Sequence, residues 1–135
     1  MRSVLLCALL LSASTLCAQD KVVYHVSAGA EQAGLALQNI RNHLEADPKA
    51  DITVVTLATG VDFLMKGAKT ARGNEYRQQI EDLDLQGVKF RVCEITLRER
   101  GLKKEQFVPE ARFVPSGVAE IARLQAREGY AYLRP

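Results

Sequence analysis

A chain of 135 residues, 47% hydrophobic and 25% charged, has the make-up of one ordinary globular domain, with no low-complexity or long charged block to mark a disordered tail. The formal net charge of +2 comes from basic and acidic residues interleaved along the chain, so bulk electrostatics argue against a nucleic-acid partner. His25 and His43 stand far apart and the three cysteines are scattered, so no metal-ligand spacing and no cofactor motif is present.

In chain order, Met1 and Arg2 form a short positive start, Val4 to Leu11 is an uncharged run too short to span a bilayer, and Ser12 to Ala18 supply small residues before Asp20. This pattern predicts a secretory signal over residues 1–18, with cleavage after Ala18 preferred to cleavage after Cys17. The mature chain, 19–135, is then expected to be a single domain, periplasmic or secreted, with no membrane attachment. Lipid attachment at Cys17 is disfavoured because Leu16 is larger than the small residue that normally precedes it. Cleavage removes Cys7 and Cys17 and leaves Cys93 as the one thiol. A lone cysteine in an oxidising compartment is buried and inert, paired between chains, or kept as a reactive group. Composition alone favours the buried thiol.

Lys21 to Ser27 is rich in β-branched and aromatic residues and ends at Ala28-Gly29, which predicts a first strand. His25, flanked by apolar residues in that strand, reads as a hydrogen-bonded core histidine. Residues 30–46 place Leu37, Ile40 and Leu44 on one stripe with Ala33 and Ala36 beside it, predicting an amphipathic helix. His43 falls on its solvated flank, Asn39 and Asn42 lie on its outer face, either solvated or against a neighbouring subunit, and Asp47-Pro48 stops it. Asp51 to Leu57 is almost continuously apolar, as for a strand covered on both faces. Val61 to Met65 reads as one apolar turn or a short helix over the end of the sheet, Lys66 to Gly73 as a loop, and Asn74 as the cap of a helix through Gln86.

In the third strand, Val88 to Cys93, the residues Val88, Phe90 and Val92 share one face and Lys89, Arg91 and Cys93 the other. Residues 94–100 predict a short helix closed by Gly101. Arg112 to Val114 reads as a strand, Ser116 as the cap of a last helix with Val118, Ile121 and Leu124 inward, and Tyr130 to Leu133 as a closing strand. Strands alternating with helices specify an α/β layered domain with a mostly parallel sheet of four or five strands.

Cys93 therefore falls where a strand hands over to a helix, the end of an open α/β sheet at which ligands and chemistry gather. Helix-terminal amides could point at its sulfur, Arg91 shares its strand face, and Arg98 or Arg100 could fold back towards it. Glu94, directly after the thiol, is expected to act against ionisation.

Three segments carry a family resemblance: YHVS with the NIRNHL helix, VCEITLRERGL, and SGVAEIARLQAREGYAYLRP. Together they make the mature chain similar to the DsrE/DsrF-like family, with Cys93, Thr96, Arg100 and Gly101 the most specific match. The resemblance implies a three-layer α/β/α sandwich and a homo-oligomer. It also implies a persulfide on Cys93, with Thr96, Arg100 and Gly101 around it and Arg91 joining them from the shared strand face, taken from a small sulfane-sulfur donor and passed to an acceptor protein. The alternative expectation is a non-catalytic binding or structural protein with Cys93 buried.

Overall fold

The computed structural model describes residues 18–135; the expected signal segment up to Cys17, with Cys7, lies outside them. Five strands, β1 (Lys21–Val26), β2 (Asp51–Thr56), β3 (Lys89–Cys93), β4 (Ala111–Val114) and β5 (Ala131–Leu133), form one sheet in the order β4-β3-β2-β1-β5. Every pairing is parallel. Four α-helices, α1 (Ala30–Ala46), α2 (Arg77–Leu85), α3 (Glu94–Arg100) and α4 (Gly117–Glu128), supply the crossovers that parallel strands require. No helix among the described residues is long and apolar enough to cross a membrane.

The topology explains which face each helix covers. From β1 to β4 the chain steps across the sheet in one direction, and right-handed crossovers put α1, α2 and α3 on the same side. The last crossover runs back past three strands to the opposite edge, so α4 lands on the other face. The main core accordingly joins Leu37 and Ile40 of α1, Ile80 and Leu83 of α2 and Leu97 of α3 to Val22, Ile52, Val54, Phe90 and Val92 of the sheet. On the far face a smaller cluster joins Leu124 to Val23, Val55 and Tyr130. The result is the three-layer sandwich, and β2 in its interior is buried at every position from Ile52 to Thr56.

Helix α1 runs over the expected residues and ends at Asp47, whose amide donates to the His43 carbonyl. Other boundaries differ. Asn74 caps nothing: its carbonyl accepts the Thr70 amide in a tight turn, Glu75 bridges Lys69, and α2 starts only at Arg77. Tyr76 is drawn inward instead, stacking edge-on against Phe63 and donating its hydroxyl to the Ala30 carbonyl. The turn or short helix expected at 61–65 is a 3-10 helix that starts earlier, over Ala58–Leu64. His43 is not simply solvated, since its Nδ1 lies 3.0 Å from the Tyr24 hydroxyl.

In α4, Leu124 and Ile121 face the far-face core as expected, but Val118 does not. Val118 is 66% exposed, while Gly117, Glu120 and Leu124 are buried. The reason is that Gly117 packs on the end of β3 and Glu120 pairs with Arg91, so an ion pair occupies a place where apolar periodicity anticipates a hydrophobe. Ser116 does cap α4, accepting the Ala119 amide at 3.3 Å.

Candidate functional site

Strands β3 and β4 are neighbours whose chains leave the sheet in opposite directions, β3 into α3 on one face and β4 into α4 on the other. A crevice at the carboxyl ends of such a pair is the usual ligand position in an open α/β sheet. Cys93 stands there, as the last residue of β3 and the N-cap of α3. It pairs across the ladder with Val114, three residues before the first residue of α4. The thiol thus meets the N-termini of two helices.

Cys93 is 4% exposed. Burial alone would push its thiol up, since the charged form is the one that loses solvation. Hydrogen bonding from the Gly117, Thr96 and Ile95 amides and from the Thr96 hydroxyl outweighs that effect, and the thiol is held below its ordinary value. Gly117 contributes because it has no side chain. A β-carbon there would lie 3.1 Å from Leu57 Cδ2, 3.2 Å from Cys93 Cβ and 3.4 Å from Val55 Cγ1, so only glycine lets α4 close this tightly.

The expected site residues are not all gathered around the sulfur. Thr96, buried at 4% exposure, is the one whose side chain faces it, and its oxygen also accepts the Ala58 amide at 2.9 Å. Arg100 points away, to the Ala58 carbonyl at 3.0 Å and Asp62 Oδ1 at 2.6 Å. Gly101 ends α3 in the left-handed conformation, φ 64°, and serves as its cap. Arg91 shares the Cys93 face but pairs with Glu120. Glu94, expected to oppose ionisation, is engaged by Lys104 and is not among the groups that shift the thiol.

Sequence reasoning missed Leu57, Ala58 and Gly117. They come from the turns after β2 and β4, and nothing within their own segments ties them to Cys93. The other candidates are structural. His25 Nδ1 lies 2.7 Å from the Tyr132 hydroxyl, and burial followed by the Arg134 charge holds its pKa below the usual imidazole value. In the Ser27–Gly29 turn, the Ser27 and Ala28 amides are both taken by Gln32 Oε1, leaving a plain strand-to-helix turn.

Behind the site, Glu120 joins Arg91 of β3 to Arg123 of its own helix and so ties α4 to the strand that carries the thiol. The Arg123 hydrogen bonds hold the Glu120 carboxyl below the usual range, against burial and with help from the Arg91 charge. A carboxyl depressed in the fold stabilises it above the unfolded value, about pH 4.3, and that contribution fades as pH falls through the folded value. Glu120→Gln is expected to cost roughly 1–2 kcal/mol at neutral pH. In urea unfolding, the gap between wild type and variant should narrow steadily once the pH drops below about 4.3.

This arrangement defines a class: a parallel α/β domain with one cysteine at the switch point of its sheet, flanked by helix-terminal amides. The profile of the DsrE/DsrF-like family matches residues 20–135, and the chain belongs to that family. Among solved structures it is similar to MTH1491 from Methanobacterium thermoautotrophicum, a protein of unknown function. The two are 34% identical, with a TM-score of 0.76 over 87% of this chain and 100% of that one. It shares its fold with the YchN protein from E. coli, at 18% identity and a TM-score of 0.73 over 87% and 100% of the two chains. Comparison with curated proteins returned no match.

Proposed function

We propose that the protein is an exported sulfur carrier in which Cys93 accepts sulfane sulfur as a persulfide and hands it to an acceptor. The observation that carries this reading is the close approach of α4 to the end of β3 at Gly117, where a β-carbon would lie 3.2 Å from Cys93 Cβ, with the Gly117, Thr96 and Ile95 amides favouring the thiolate. A thiolate is the nucleophile in sulfur transfer, and a persulfide anion needs the same donors. In the loading step the Cys93 thiolate attacks a sulfane sulfur of a polysulfide. A new S–S bond forms at Sγ, an S–S bond of the donor breaks, and its electron pair leaves with the shortened polysulfide anion. No oxidant is consumed.

Membership of the family supports the reading, and export to the periplasm or outside rests on the signal-like residues 1–18. Self-association is part of the proposal: β5 is an edge strand, and its Tyr132 and Leu133 are 40% and 43% exposed. The 4% exposure of Cys93 favours a second reading, a binding or structural protein with a packed thiol.

Intact mass separates the two. Incubation of the native mature chain with polysulfide, followed by removal of excess, is expected to add one sulfur that reductant removes and that Cys93→Ser does not acquire. Labelling only after unfolding would leave the structural reading.

A further inference from the structure

The turn after β2 is held in an uncommon backbone state by the helix that begins at the thiol. Ala58 has φ 50°, the left-handed region, which costs a residue with a β-carbon about 1 kcal/mol and persists only where the surroundings impose it. Here α3 imposes it. The Thr96 hydroxyl takes the Ala58 amide at 2.9 Å, and the Arg100 guanidinium holds the Ala58 carbonyl at 3.0 Å while also bonding Asp62. Both backbone polar groups of one strained residue are therefore gripped by side chains from the helix that Cys93 caps.

Two consequences reach the sulfur. Because its oxygen accepts from Ala58, the Thr96 hydroxyl has its proton free to face Cys93. Leu57 follows the Thr56–Val92 pair in the ladder and so lies beside Cys93. Its Cδ2 and Cys93 Cβ both fall within 3.2 Å of the point that a Gly117 β-carbon would occupy. Leu57, itself half-buried, is thus a side-chain neighbour of Cys93 on the face that α4 covers, whereas Ala58 and Thr59 next to it are exposed.

We propose that Ala58 is a positioning residue for Cys93 and that the turn from Leu57 to Gly60 is a latch. Gripped by Thr96 and Arg100, it seats Leu57 against Cys93; when the grip on its carbonyl is lost, Ala58 relaxes to negative φ and the thiol opens. This rests on Cys93 being a sulfur acceptor, since a carrier's sulfur must be shielded between transfers and reachable during them. The strain at Ala58 favours release, and the two α3 side chains oppose it.

The test is the rate of Cys93 alkylation by iodoacetamide, a small uncharged reagent, in the native mature chain across a range of pH. Arg100→Ala is expected to raise the limiting rate about tenfold, as loss of one charge-assisted hydrogen bond would, with the pH midpoint unmoved. Ala58→Gly, which adopts the left-handed conformation without strain, is expected to slow alkylation severalfold. Thr96→Val should move the pH midpoint upward and Thr96→Ser should leave it in place. Ala58→Gly keeps the test sharp should Arg100→Ala fail to fold, because it favours the latched state. Alkylation of Ala58→Gly at the wild-type rate or faster, or of a folded Arg100→Ala at the wild-type rate, would overturn the latch. Shifted rates in a protein that takes up no sulfur would keep the latch and remove the carrier; sulfur uptake with unmoved rates would do the reverse.

Discussion

Gly60→Ala is expected to destabilise the protein by about 3 kcal/mol or more, the upper end of what overpacking costs. A β-carbon on Gly60 would lie 2.2 Å from the Val26 carbonyl oxygen, 2.5 Å from its carbon and 2.8 Å from the Ser27 nitrogen. All three are backbone atoms, at the end of a strand paired there with β2, where the Val26 carbonyl accepts the Leu57 amide at 3.1 Å, so no side chain can swing away to make room. The turn must move instead. That turn carries Leu57 and Ala58, so the same substitution is expected to speed alkylation of Cys93 in whatever fraction stays folded. Urea unfolding of the mature chain checks the first effect. An unchanged midpoint would mean that the turn does not approach β1 this closely.

Gly117→Val is expected to cost about 2–3 kcal/mol and to raise the Cys93 pKa. The first carbon of the new side chain already crowds Leu57, Val55 and Cys93 at 3.1 to 3.4 Å, and the two methyl groups beyond it have those same neighbours to meet. Valine suffers no backbone strain at a helical position, so the cost is one of space. Relief comes from withdrawing the first turn of α4, which takes the Gly117 amide away from the sulfur and removes a donor that favours the thiolate. Denaturation together with the pH dependence of alkylation measures both effects. A stable variant with an unmoved thiol would show that α4 contributes nothing to the site.

The period-two alternation of Val88, Phe90 and Val92 against Lys89, Arg91 and Cys93 is legible in the sequence because a strand buries its two faces in different surroundings. So is α1, whose five buried residues repeat at helical spacing. The reversal that sends α4 alone to the second face cannot be read from local periodicity, because strand order is a long-range property. It is this reversal that brings Gly117 to Cys93, 24 positions away in sequence.

Within α4 the pattern misleads at the first turn only. Ile121 and Leu124 face the core as hydropathy predicts, but Glu120 is buried through its pairs with Arg91 and Arg123 while an apolar Val118 is left outside. The left-handed state of Ala58 is invisible for a similar reason. Alanine is a poor marker of positive φ, and the groups that impose the conformation, Thr96 and Arg100, lie one strand and a helix later. Motif resemblance singled out Thr96 and Arg100 but placed both near the sulfur. The structure gives Thr96 that place and turns Arg100 to the neighbouring turn.

The ionisation of Cys93 in the folded protein is the measurement that bears most directly on a thiolate held by helix-terminal amides. It can be followed through thiolate absorbance against pH, with Cys93→Ser as the blank. The expected result is a midpoint below the ordinary free-thiol value of about 8.5 that returns to it on unfolding. A midpoint at or above that value in the native protein would mean that burial outweighs the amides, and Cys93 would be a packed core thiol.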